Sequence, residues 1–184
     1  MRIRRTLRRL SVGVALAFVC ASAFAAIPSN DIDTFVSTYH CTVTESLMRI
    51  HASRKQDDRY LVLENGLTHQ YVQCLFFDHD RRMMCEAWSG WWDQKNSGPD
   101  FRSPLAPEKL AALAKLGFSM DVSHGNFKRH FLFGHDPDYG EVADLMLKAL
   151  YSGFDTSLAT GVKGEGPYAM RKSVLSKNTC VPIS

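Results

Sequence analysis

Two cysteines, Cys74 and Cys85, stand at equal distances from His79-Asp80 in the stretch YVQCLFFDHDRRMMCEAW, residues 71–88. Thiols so placed could close a disulfide, ligate a metal or supply a nucleophile. With Cys20 in an N-terminal leader, Cys41 and Cys180 complete a set of four. Zinc sites favour paired cysteines at C-x-x-C spacing, which this chain lacks. An even count in an exported chain points to disulfides, with three pairings open at this level. A Cys/His nucleophile is formally available, but disulfides account for the cysteines better. Free buried thiols are the remaining alternative.

The histidines are the other candidates. HGNFKRHFLFGHDPD carries His124, His130, His135, Asp136 and Asp138. A metal centre needs three or four ligands converging. Here His124 reads as a turn residue and His130 as a strand residue. His135 falls in the loop before a helix. His130 alternates away from Phe127, Phe131 and Phe133, which places it on an exposed face. DPDYGE resembles a calcium loop only in part, because the required glycine and later glutamate are misplaced. There is no G-x-S-x-G, P-loop or dinucleotide fingerprint. Glu86 beside Gln73 reads as a solvated cross-strand pair rather than a general base. No catalytic residue, metal or cofactor is therefore expected, and the chain reads as a non-enzyme.

The elements that position these groups follow from the opening stretch. With the turn centred between His79 and Asp80, Val72 opposes Ala87, Cys74 opposes Cys85, and Phe76 opposes Met83. That face is wholly apolar. The other face pairs Tyr71 with Trp88, Gln73 with Glu86, Leu75 with Met84, and Phe77 with Arg82. A one-residue slip would exchange whole faces, so the apolar clustering sets the register. The register puts Cys74 and Cys85 opposite each other on the core side, where a disulfide can form. Cys41 then pairs with Cys180 and ties the end of the chain to the first helical segment. On the mixed face, Tyr71, Leu75, Phe77, Met84 and Trp88 surround the Gln73–Glu86 pair, with Trp91 and Trp92 at the rim. Aromatic and methionine side chains suit adaptable binding surfaces. An unpaired buried carboxylate costs several kcal/mol, so the centre of this face is expected to reach water. The competing reading is a second core layer covered by the middle helix and loop.

The chain begins MRIRRTLRRLSVGVALAFVCASAFA. Five arginines, an apolar run from Leu10 to about Cys20 and Ala23-Phe24-Ala25 have the form of a secretory signal peptide over residues 1–25. The run falls short of the roughly 20 residues that span a bilayer. Phe18-Val19 before Cys20 are too large for a lipoprotein signal. Cleavage after Ala25 leaves 159 of the 184 residues, enough for one domain. The leader holds five of the 22 basic residues and none of the 19 acidic ones, which leaves 17 against 19 and a net charge of −2. That balance gives no basic field for nucleic acid. A periplasmic or secreted location is expected, with no membrane contact after cleavage.

Along the rest of the chain, Ile32, Phe35, Val36, Tyr39, Val43, Leu47 and Ile50 recur at helical spacing. The poor helix formers of YHCTVT predict a break near Cys41. RYLVLENGLTHQYVQCLFF predicts two strands about an Asn65-Gly66 turn, and RRMMCEAWS a third. QKNSGPDFRSPLAP reads as a loop. A short helix follows from Pro107, with Leu110, Leu113 and Leu116 on one face and Gly117 ending it. FSMDV and NFKRHFLF predict two more strands. A last helix is expected from Asp136 as cap and Pro137 as first residue to Gly153. Residues 26–155 thus read as one α+β domain, in the order α-β-β-β-α-β-β-α with a mainly antiparallel sheet. Residues 156–184 read as a weakly patterned tail.

That order is similar to the fold of type III secretion chaperones. YVQ in a strand, CEAWS in the next, PEKLAALAKLGF, GNF and EVADLMLKAL make the chain resemble the YbjN-like, TY-Chap peptide-binding chaperone-like family over about Asp31–Asp155. The resemblance implies an α/β domain whose open sheet and helices bind a protein segment, often as a homodimer, and it transfers no catalytic residue. The export signal, the expected disulfides and the added tail depart from the secretion chaperones, which work in the cytoplasm. The functional expectation is an exported domain that binds a peptide or protein partner. Two alternatives come from other classes. One is a disulfide-stabilised inhibitor or immunity-type protein presenting SGWWDQKNSGPD to an enzyme; the other is a hydrolase with an unrecognised site.

Overall fold

The computed structural model describes residues 29–77, 81–93, 103–123, 125–134, 137–167 and 173–181. The segment read as a signal peptide, with Cys20, the turn at His79-Asp80, the whole QKNSGPDFR stretch, His124, His135 and Asp136 lie outside the described residues.

The apolar stripe from Phe35 to Ile50 forms a single helix, α1 (Ser29–His51). The expected break at Cys41 does not occur. Phe35, Tyr39, Val43 and Leu47 are fully buried along its inner face, and that burial outweighs the few tenths of a kcal/mol that each poor helix former costs. The hydroxyls also fold back onto the helix: Thr38 donates to Thr34 O at 2.7 Å and Ser46 to Thr42 O at 2.6 Å.

Strands β1 (Tyr60–Asn65), β2 (Tyr71–Phe77) and β3 (Arg82–Ala87) follow. The β2–β3 register is the one read from the cysteine hairpin, with Val72 opposite Ala87, Cys74 opposite Cys85 and Phe76 opposite Met83. The β1–β2 connection departs from the reading. Asn65 N bonds Gln70 O at 2.9 Å, so the loop is longer than a two-residue Asn-Gly turn. Asn65 is instead a buried joint, donating to Phe154 O at 2.8 Å and to Thr156 Oγ1 at 3.1 Å. Gly66 is required by close approach, since a Cβ there would lie 2.0 Å from Thr160 O.

Helix α2 (Pro107–Lys115) starts with its proline and stops before Gly117, whose φ is +85°. FSMDV is not a strand; Ser119 makes only one isolated bridge, to Lys128. Strand β4 is Phe127–Leu132 and helix α3 is Tyr139–Phe154. The cap of α3 is Asp138 rather than Asp136: its carboxylate accepts from Glu141 N at 2.9 Å, which sets the start two residues later. Nor does Gly153 end α3. It lies inside the helix, where a Cβ would come within 2.8 Å of Leu113, so it lets α2 approach; the left-handed residue that closes α3 is Asp155, at φ +51°.

The segment read as a tail adds β5 (Val162–Glu165) and β6 (Ser173–Val174) to the same sheet. A boundary at Asp155 therefore cuts through one sheet of order β4-β3-β2-β1-β5-β6, antiparallel at every pairing. The fold is α+β. Helices α1 and α3 pack on each other and on the sheet, and α2 packs on α3. Leu61, Leu63, Val72, Cys74, Phe76, Met83, Cys85 and Val162 are fully buried beneath them.

Both expected disulfides are present, Cys74–Cys85 within the hairpin and Cys41–Cys180 across a separation of 139 residues. They suit an oxidising compartment.

Candidate binding face

Alternation in β2 and β3 puts every second residue on the face away from the helices, and those residues are half-buried, or exposed at Arg82, where their neighbours are fully buried. Among the described residues no α-helix packs across that face; the middle helix sits on α3 instead. The registers arrange the face in rows. His130, Met84, Leu75 and Tyr60 form one row from β4 to β1. Lys128, Glu86, Gln73, Val62 and Glu165 form the next. Leu132, Arg82 and Phe77 lie on the other side of the first row, with the Arg82 guanidinium 5.2 Å over the Phe77 ring.

The polar row is internally paired. Gln73 Nε2 donates to Glu86 Oε2 at 2.6 Å, and Lys128 Nζ stands 3.8 Å from Glu86 Oε1. The Glu86 side chain is only 15% exposed. The water-filled centre expected for this face is thus not needed to hold the carboxylate. Its charge is met by a neighbour on each side, which removes the cost of an unpaired buried ion.

Tyr71, Leu75, Phe77 and Met84 occupy the expected face, each half-buried. Tyr71 lies toward one end, where its hydroxyl accepts from Asn126 Nδ2 at 2.8 Å. Trp88 leaves the group. Strand β3 ends at Ala87, and beyond it alternation no longer governs direction. The indole meets Phe154 of α3 edge-on, ring centroids 6.3 Å apart, and packs with the core. Trp91 is half-buried in a short 3-10 turn, Trp91–Asp93. Trp92 in that turn is 69% exposed, with its ring beside Gly125.

Leu132, 80% exposed, and Tyr60 belong to the face and were not picked out from sequence. The alternation that puts His130 outside extends to Leu132; Tyr60 needed the β1–β2 register, which the misread turn hid. Odd-numbered residues of β4 bond toward β3, as Phe133 N does to Arg81 O at 2.9 Å, whereas Lys128 O faces outward and accepts from Ser119 N at 2.7 Å. By the same parity, the backbone groups of His130 and Leu132 face the outer edge. Beyond the Ser119 bridge no described strand pairs with that edge.

Among the described residues no group of three or more His, Cys, Asp and Glu could hold a metal ion, and no helix is long and apolar enough to cross a membrane. Compared with family models, curated proteins and solved structures, the chain has no significant match to any.

Proposed function

We propose that this protein is an exported, non-enzymatic domain that binds an extended peptide or protein segment, in the manner of a chaperone-like module. The observation that carries the reading is the face of the sheet across which none of the described helices packs. Tyr60, Leu75, Phe77 and Met84 offer apolar surface there, next to the paired Gln73–Glu86–Lys128 row. The outer edge of β4 lies along one side of this surface, with exposed His130 and Leu132 on it. An unpaired edge can hold a strand by backbone hydrogen bonds while the face receives alternate side chains. The resemblance to the YbjN-like chaperone family supports the same reading, as do the leader and the two disulfides for export. Arg81, Arg82, Lys128 and His130 near the edge favour a segment that mixes apolar and acidic residues.

The experiment is selection of displayed peptides on the folded, oxidised protein, followed by titration of the winners. Enrichment of extended segments with alternating apolar residues is the expected result. Trp88→Ala serves as the control: it should lower the melting temperature and leave affinity unchanged. If selection yields no peptide while one folded enzyme is captured tightly, the inhibitor reading replaces this one, and the exposed indole of Trp92 would be its natural anchor.

A further inference from the structure

The two disulfides occupy opposite environments. Cys74 and Cys85 are fully buried on the helix side of the sheet. Cys180 is exposed, and Cys41 is half-buried on α1 at the wall of an open cavity of about 420 Å3. The cavity also holds His40, Lys148, Asp144 and Asp33. Asp144 sits between Lys148 and His40, 2.7 Å from Lys148 Nζ and 3.5 Å from His40 Nε2, which is also 3.3 Å from Gly140 O.

We propose that Cys41–Cys180 is a thiol-exchange site, open to the thiolate of a small monothiol or of a protein dithiol, while Cys74–Cys85 is inert. Exchange requires a thiolate to reach one sulfur and the other sulfur to leave as a thiolate. Exposure makes Cys180 the accessible end. Attack there forms a mixed disulfide on Cys180 and expels Cys41 as a thiolate into the cavity, where the Lys148 ammonium stabilises it against the two carboxylates. A second thiol of a dithiol partner then displaces Cys180 as a thiolate. The partner leaves as the disulfide, oxidised by two electrons, and the Cys41–Cys180 pair is reduced by two. Both cysteines take up protons from solvent.

Release of the tether leaves the end of the chain on weaker bonds. Thr42 Oγ1 donates to Thr179 O at 2.6 Å, and Asn178 N to Thr38 O at 3.0 Å. Thr38 and Thr42 are 8% and 2% exposed, so departure of this segment would uncover a hydroxyl-lined strip of α1. The site is separate from the sheet face, and the inference does not rest on the binding role proposed for that face.

The test is incubation of the folded, oxidised protein with glutathione at neutral pH, acid quench, alkylation and peptide mapping. The expected result is a glutathione adduct on Cys180 and alkylated Cys41, formed at least about tenfold faster than any opening of Cys74–Cys85. Near-ultraviolet circular dichroism should stay native while this occurs. Reaction at Cys74 or Cys85 first, or of either pair only on loss of the native signal, would overturn the proposal; an adduct on Cys41 would overturn its direction. Lys148→Gln should slow exchange about two- to fivefold at low salt, and Lys148→Arg should restore it. An unchanged rate in Lys148→Gln at equal melting temperature would remove the cavity from the account.

Discussion

Tyr39 is fully buried in the middle of α1, and its hydroxyl finds no hydrogen-bond partner among the described residues. Burial raises its pKa above the ordinary 10.0. The folded state therefore keeps the proton longer than the unfolded chain does. The stabilising effect is fully present below pH 10 and is lost as pH rises from there toward the folded-state pKa. Tyr39→Phe should leave stability equal or raise it by about 1 kcal/mol at neutral pH. Its melting temperature should fall less steeply than the parent's above pH 10, as a calorimetric pH series would show. Glu86 is the contrasting residue. Its partner Gln73 was legible from the hairpin, but Lys128 was not, because the pairing of β4 with β3 joins residues about 40 apart and no local pattern encodes it. A charge seen with half its partners invites water that the fold does not require.

Among the elements, β2 and β3 were read correctly because alternation and a symmetric cysteine pair constrain the same register. Where one signal acted alone, the reading failed. Asn-Gly alone predicted a tight turn, yet Asn65 serves the tertiary structure and Gly66 makes room for Thr160. Propensity alone predicted a broken α1. Asp136 before a proline alone predicted the start of α3 two residues early; the pairing of Asp138 with Glu141 at three-residue spacing decides it. Asp138→Ala should cost about 1 kcal/mol by chemical denaturation, with an unchanged denaturant slope. Strands β5 and β6 are four and two residues long and glycine-rich or weakly patterned. Their pairing depends on β1 and on the tether at Cys180, which lie far off in sequence.

At the scale of the whole molecule, the chain is an α+β fold with its described helices on one side of a six-stranded antiparallel sheet. The two disulfides restrain it at different lengths. By chain-entropy reasoning the 139-residue closure contributes about 5 kcal/mol and the 11-residue closure about 3. The long tether joins α1 to the segment that follows β6, and among the described residues no helix packs across the other face of the sheet. Met84 sits between Leu75 and His130 near the middle of that face, and its side is half-exposed where Met83 beside it is fully buried. Affinity of a selected peptide for Met84→Glu, measured beside its melting temperature, is the most direct test of the binding role. The account predicts at least a tenfold loss of affinity, about 1.4 kcal/mol or more, with a stability change under about 1 kcal/mol. Unchanged affinity in a protein that still melts like the parent would show that the peptide binds elsewhere and would contradict the assignment of this face.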